Sequence, residues 1–403
     1  MPTSITRRDL FLRGAALAVA GAGVVSAQVE TAPPSGDLGR LDAVVADCLM
    51  RSGVPGLSLA IIRGGRVDQV RGYGIANKNT KKAVTPATVF QAASLTKPMT
   101  AYCVMRMVER GAISLDAPVI RYMASPVASN DAMASEITVR TILAHTSGLP
   151  NWENGRWPMR MRFRPGESFG YSSEAYNYLQ RVVETVTAQP LADALQKEVA
   201  EPLGLRETSF VWRDEYEATA AAGYEWDGTP VRAVSHPTEA SGAGSLHTTP
   251  RDFAEFMLAL MASQTTPVRG ANYCSVRMML GPQVQLSPNL AWGLGWGLHL
   301  SDDGDRFWHF GDSRGYMSYA TGSRTTGSGL VVFTNGRHGL RVAHKVAACV
   351  CDHQDPVFNW IYDVFYEGKL RQWPDPSHPV PPKKAVAPRR KTQSKSKSKS
   401  KKR

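Results

Sequence analysis

The sequence predicts an α+β fold: one antiparallel sheet flanked by N- and C-terminal helices, a mainly helical lobe, and an active-site cleft between them. Two strand groups at opposite ends of the chain, with a helical stretch between them, carry this expectation. Residues 56–62 and 67–73 are short apolar strands joined by the turn Arg63-Gly64-Gly65-Arg66. Strand character returns near residue 292 as segments joined by short turns, the pattern of an antiparallel meander. From about residue 112 to 285 no alternating run compares with these, so the region reads as a mainly helical insertion. With 403 residues, 43% of them hydrophobic, the chain can bury a core large enough for both parts.

In chain order, residues 28–36 are a Pro/Ser/Gly-containing linker. Leu38, Leu41, Val45, Cys48 and Leu49 then recur at helical spacing and stop at Gly53. After the hairpin, turn chemistry runs to Thr88, and Val89-Phe90-Gln91-Ala92-Ala93 leads into Ser94. A helix is expected to begin there and run to Glu109. Pro98 is tolerated only in a first turn, where backbone N–H groups lack intrahelical partners, and Gly111 is a C-terminal stop. Loops rich in Gly, Pro and Trp occupy 149–171. Residues 292–300 read as one aromatic and Gly-containing strand, followed by strands at 306–310, 315–321 and 329–334. Residues 340–351 and 357–366 close the domain as helices.

The basic character belongs to the ends of the chain. Of the net charge of +12, eleven Lys and Arg in 383–403 supply +11, and Arg7, Arg8, Asp9 and Arg13 supply +2. The body is left near −1, so nucleic acid is not an expected partner. Arg7-Arg8 stands ahead of an Ala/Gly-rich apolar run of twelve residues, 14–25, too short to span a bilayer. Val25-Ser26-Ala27 then offers a small-residue cleavage site. Residues 1–27 therefore read as a twin-arginine signal directing the protein to the periplasm, with an uncleaved membrane anchor as the alternative. No later stretch reaches eighteen uninterrupted apolar residues, so the mature chain is expected to have no transmembrane span. Residues 374–403, rich in Pro, Ser and Lys, read as a disordered tail, either merely solvated or drawn to the anionic cell envelope. Five widely spaced cysteines do not make a disulfide framework. Cys349-Val350-Cys351-Asp352-His353 has no second ligand cluster to answer it, so buried helix cysteines are expected there rather than a metal site.

Acyl transfer needs a nucleophile, a base, a proton relay and donors for the oxyanion. Ser94-Leu95-Thr96-Lys97 supplies the first pair. Three residues apart at a helix start, the two side chains share a face, and a neutral amine can take the hydroxyl proton. Tyr171, in Tyr171-Ser172-Ser173, is a candidate relay, provided that nearby positive charge lowers its phenol pKa. Taken alone it reads as one packing aromatic among thirteen tyrosines. His309, in Trp308-His309-Phe310-Gly311, lies on a strand whose alternation can aim it at a cleft wall; Gly311 leaves room for substrate to approach the backbone. Two segments match the Gly-x-Ser-x-Gly elbow of α/β-hydrolases, centred on Ser168 and Ser313. That elbow works only between a strand and a helix. Ser168 follows Arg164-Pro165, which is no strand, and Ser313 precedes another strand, so neither is expected to be a nucleophile.

In order along the chain, Ser94-Leu95-Thr96-Lys97, Tyr171-Ser172-Ser173 and His309-Phe310-Gly311 resemble the three motifs of serine β-lactamases and penicillin-binding proteins. They look most like the class C branch, with its DD-carboxypeptidases, D-aminopeptidases and esterases. Leu143-Ala144-His145-Thr146-Ser147-Gly148-Leu149-Pro150, Trp292-Gly293-Leu294-Gly295-Trp296 and the stretch 241–252 resemble that group too. The resemblance implies a β-lactamase/transpeptidase-like domain over 37–368. It makes Ser94 the acylated nucleophile, Lys97 its proton-transfer partner and Tyr171 a relay or base, and leaves open which of the latter two is the acylation base. His309 stands where many relatives have a lysine. The oxyanion would be held by the backbone N–H groups of Ser94 and Asp312, and Ser173, Gly311 and Trp152 would contact substrate. Trp152 reads equally as a packing residue. No metal or other cofactor is implied. The implied substrates are peptidoglycan-derived D-amino-acid peptides or small esters. A β-lactam-hydrolysing enzyme and a catalytically weak penicillin- or peptidoglycan-binding module are the alternatives. One departure stands out: the second motif usually ends in asparagine, and here it ends in Ser173. A hydroxyl serves only part of what an amide donor and acceptor can, which shifts the expectation toward esters.

Overall fold

The computed structural model describes residues 37–123, 132–152, 159–231, 236–262, 272–351 and 355–371. The expected export signal, linker and basic tail lie outside them. The chain opens with α1 (Asp37–Ser52), the hairpin β1 (Gly56–Arg63) and β2 (Arg66–Asn77), the short β3 (Lys82–Ala83), β4 (Phe90–Ala93) and α2 (Thr96–Glu109). The middle is helical, as its pattern predicts: α3 (Val139–Leu143), α4 (Ser173–Thr187), α5 (Leu191–Leu195), α6 (Glu201–Leu203) and α7 (Tyr216–Thr219). The three-residue β5 (Leu246–Thr248) precedes α8 (Pro250–Met261) and α9 (Tyr273–Met279). Then come β6 (Val284–Ser287), β7 (Leu290–Trp292), β8 (Gly297–His299), β9 (Arg306–Ser313), β10 (Tyr316–Ser323) and β11 (Ser328–Thr334). Helices α10 (Gly339–Val350) and α11 (Asp355–Tyr366) follow.

The main sheet has nine strands in the order β3-β2-β1-β11-β10-β9-β8-β7-β6, each pair antiparallel. The two ends of the chain meet where β1 pairs with β11, from Leu57↔Thr334 to Ile62↔Gly329. Alternation along these strands divides the core in two. Leu57, Leu59, Ile61, Leu330, Val332 and Tyr319 face α1, α10 and α11. Ala60, Ile62, Val331 and Phe333 face the other way, into the core built with α2, α4 and α8. Slipping β1 by one residue would exchange the two sets, so burial on both faces holds its register. No helix among the described residues is long and apolar enough to cross a membrane.

The structure departs from the sequence reading at three places near the cleft. Residues 292–300 are not one strand but the hairpin β7–β8, with Trp292 opposite Gly297. Gly295 turns it at φ +86°, and a Cβ there would stand 2.6 Å from the Ala101 Cβ on α2. The helix starts at Thr96, not Ser94, because the chain leaves β4 through Ala93, at φ +51°. That left-handed conformation costs a residue with a Cβ about 1–2 kcal/mol. Finally, β4 pairs with β5, a strand too short to leave an alternating signature. Elsewhere Gly111 does stop α2, at φ +70°, its N–H donating to the Val108 carbonyl at 3.0 Å. Cys351 is buried just past α10 and Cys349 half-buried near its end; Asp352 and His353 lie outside the described residues.

Candidate active site

Lys97, in the first turn of α2, is fully enclosed. Enclosure strips an ammonium of its hydration, and this burial lowers the amine's pKa from 10.5 to about 7. Its Nζ lies 3.0 Å from Ser94 Oγ and donates to the Ala243 carbonyl at 2.9 Å. Once deprotonated it can keep the Ala243 bond and turn its lone pair to the Ser94 hydroxyl. The Ala243 loop is itself tied down. Thr100 Oγ1 donates to the Gly242 carbonyl at 3.0 Å, and the Gly242 N–H donates to Gln180 Oε1 of α4 at 3.0 Å.

Tyr171 immediately precedes α4, whose N-cap Ser172 accepts from the Ala175 N–H at 2.9 Å and donates to the Pro150 carbonyl at 2.6 Å. His145 brackets it. The His145 carbonyl accepts from the Gly170 N–H at 2.7 Å, and its Nδ1 accepts from the Ser172 N–H at 3.1 Å. The His145 and Tyr171 rings are 4.2 Å apart, and the Lys97 Nζ stands 4.9 Å from the Tyr171 ring centre. The phenol is not lowered in pKa, contrary to the condition set for a relay. Burial raises it well above its ordinary value, against a downward pull from the Ser94 side chain and with an upward push from the Asp312 charge. Its hydroxyl makes no hydrogen bond of ordinary geometry among the described residues, and the Ser94 side chain is the polar group near it. Tyr171 is therefore a protonated phenol beside the nucleophile.

On β9, Phe307 and His309 face the helical lobe, and Trp308 and Phe310 face α11. His309 is fully buried, its ring 6.2 Å from that of Tyr171. Its Nδ1 lies 2.8 Å from the Phe310 carbonyl, which can only accept, so Nδ1 carries the proton and Nε2 is a lone-pair acceptor. Burial, then the nearby Lys97 charge, lowers its pKa to about 3. His309 is thus a neutral ring behind Tyr171. Gly311 also differs from expectation. A Cβ there would stand 2.3 Å from Ser318 Oγ and 2.4 Å from the Ala92 carbonyl oxygen, so its empty space is filled by the chain itself. The glycine lets β9 approach the end of β4, and with it Ser94.

The Arg314-Gly315 turn closes on the pair Ser313↔Tyr316. In a two-residue hairpin that closing pair is hydrogen-bonded and the next is not, so Asp312 turns its N–H away from β10. Ser94, Tyr171, Ser173, Asn151, Trp152 and Asp312 line one cleft of about 260 Å³. Trp152 is 59% exposed. The Ser173 N–H donates to Asn151 Oδ1 at 3.0 Å, which leaves the Asn151 NH₂ as the other end of a cleft-lining side chain. Ser168 lies in a bend after the 165–167 turn, and Ser313 ends β9 with its Oγ donating to Gln91 Oε1 at 3.0 Å. Neither stands at a strand-to-helix elbow. His145, Asn151 and the Ala243 carbonyl were not among the residues singled out from sequence. The 143–150 and 241–252 stretches were the only signal for two of them.

The profile of the Beta-lactamase family matches residues 41–348. The chain belongs to that family. It is similar to Esterase EstB of Burkholderia gladioli, 33% identical over 223 residues that cover 48% of this chain and 56% of the esterase. The chain spans about half the length of the curated relatives it matches. Among solved structures, the octameric penicillin-binding protein homologue from Pyrococcus abyssi superposes with a TM-score of 0.67 at 22% identity, covering 77% of each chain. A β-lactamase/D-alanine carboxypeptidase from Pseudomonas syringae also gives 0.67, at 20% identity, covering 78% of this chain and 99% of that one. The fold is that of β-lactamases and transpeptidases.

Proposed function

We propose that this protein is an exported esterase that cleaves small carboxylic esters through an acyl-enzyme on Ser94. The observation that carries the reading is the 3.0 Å contact of Ser94 Oγ with a lysine whose burial brings its pKa to about 7. Neutral Lys97 takes the Ser94 proton as Oγ attacks the ester carbonyl. The developing oxyanion is met by the N–H groups of Ser94 and Asp312; losing one such donor typically costs about 10²–10³ in rate. As the C–O bond breaks, the Tyr171 O–H protonates the leaving alkoxide, and the Lys97 ammonium returns a proton to Tyr171. Water then attacks the acyl carbon, its proton passing to Lys97 and from Lys97 to Ser94 Oγ as the acyl C–Oγ bond breaks and the carboxylic acid departs.

Two features favour esters over amides. An amide nitrogen must be protonated before it leaves, and a phenol of raised pKa beside a neutral His309 is a weak acid for that task. Ser173 also lacks the amide reach of asparagine. The name of the EstB relative supports the same reading. A fluorophosphonate probe should label the wild type and spare Ser94→Ala. No labelling of folded protein would return the protein to a binding role. In a panel of a p-nitrophenyl ester, a D-Ala-D-Ala peptide and a chromogenic cephalosporin, the ester should have the highest kcat/KM. A faster peptide or cephalosporin overturns the ester assignment. Export would use residues 1–27, so R7K/R8K should hold the protein in the cytoplasm. Deleting 374–403 should release any hold on the anionic envelope and leave hydrolysis intact.

A further inference from the structure

We propose that the Asp312–Arg337 ion pair makes the Ser94 cleft select against substrates bearing a carboxylate near the scissile bond, so that it takes neutral or cationic esters. The inference rests on the ester reading above and names its substrate class.

Asp312 is the residue after Gly311, and its carboxylate lines the cleft beside Ser94 with its side chain 29% exposed. Two partners hold it: Arg337 at Oδ1, and the Tyr366 hydroxyl, which donates to Oδ2 at 2.6 Å. Arg337 lies on the far side. It lines the neighbouring cavity of about 780 Å³, stands 4.9 Å from the Trp226 ring centre and donates to the Ser313 carbonyl at 3.0 Å. Asp312 borders both spaces, whereas among the described residues Arg337 borders only the outer one. The pair is therefore an oriented dipole, negative end toward Ser94 and positive end away. Its negative end is felt inside the cleft, since the same carboxylate pushes up the Tyr171 phenol.

A carboxylate entering the cleft would lose hydration and meet this charge. Among the described residues that line the cleft, none is a cation. His309 is neutral, and the Lys97 amine must be uncharged to act as base. Peptides ending in D-alanine carry a carboxylate one residue from the scissile bond, as do β-lactams close to theirs. A unit charge about 7 Å away, partly offset by Arg337, is enough for about a tenfold discrimination at the dielectric of a protein surface.

The test uses two series of esters, each comprising a carboxylate, a carboxamide and a trimethylammonium compound of matched shape. One series carries the group on the alcohol half, the other on the acyl half. In at least one series the carboxamide should exceed the carboxylate about tenfold or more in kcat/KM, with the cation at or above the carboxamide. The ratio should shrink as salt is raised. Asp312→Asn should collapse the ratio, and Arg337→Gln should widen it. Opposite shifts cannot come from general loosening, and disturbance of Ser94 cancels within each ratio. A wild-type ratio near one in both series, or both variants moving it the same way, overturns the proposal. Should Asp312→Asn fail to fold, an unchanged or narrowed ratio in Arg337→Gln does so. The rates at which a neutral and a carboxylate-bearing phosphonate modify Ser94 give the same comparison without turnover. Absent ester hydrolysis with intact discrimination would therefore sink the ester reading alone.

Discussion

The α2 wall and the β9 wall of the cleft each bury a basic side chain, and only one of the two is poised for chemistry. Burial lowers both pKa values, Lys97 to about 7 and His309 to about 3. Lys97 has a hydroxyl 3.0 Å away, and its anchor, the Ala243 carbonyl, leaves its lone pair free. His309 spends Nδ1 on the carbonyl of its own neighbour, and Nε2 has no partner among the described residues. Desolvation makes a neutral base, and geometry decides whether that base has a proton to take.

Removing the α2 base should have the largest effect. Lys97→Met should cut kcat/KM by about 10³ or more while leaving the fold intact, measured on the p-nitrophenyl ester. The same variant should be the more stable one at neutral pH. Folding lowers the lysine's pKa, so between pH 7 and 10.5 the unfolded chain binds more protons than the folded one and wild-type stability rises with pH. The gain in Tm from Lys97→Met should accordingly be large at pH 7 and small at pH 10. A constant gain would mean that the amine is charged when folded.

The pH profile separates the two walls directly. kcat/KM should rise with pH through about 7 and then level, following loss of the Lys97 proton. His309 should add no inflection between pH 5 and 8, because its pKa is lowered to about 3. An inflection near pH 6.5 that disappears in His309→Gln would break the contrast.

A smaller effect is expected at His145, which touches the relay rather than the nucleophile. His145→Ala removes the Nδ1 acceptor of the Ser172 N–H and the ring against Tyr171. It should lower kcat about 10–100-fold with less change in KM, and cost about 2–3 kcal/mol for the cavity and the orphaned N–H. The smallest shift should come from Ser173→Asn, a several-fold move of the peptide-to-ester ratio toward the peptide, read from kcat/KM. No move would point to Asn151 as the amide that matters.

Local pattern determined a good deal. The Ser94–Lys97 spacing is legible because the tight local turn that leads into α2, closed by the Lys97 N–H donating to the Ser94 carbonyl at 3.0 Å, brings the two side chains together. The β1–β2 hairpin, the β9–β11 meander and the closing helices are legible from alternation and turn residues for the same reason. Tertiary structure alone decided the rest. Burial, invisible in a residue's identity, brings Lys97 to about 7, holds Tyr171 protonated and keeps His309 neutral. Close approach gave Gly311 its neighbours, Ala92 and Ser318, and folded 292–300 back on itself at Gly295. Asn151 meets Ser173 and Arg337 meets Asp312 only because separate loops converge on one cleft. A sequence states which groups exist and which of them are neighbours along the chain. Hydration lost, dipoles oriented and partners met across the fold depend on where every other segment comes to rest.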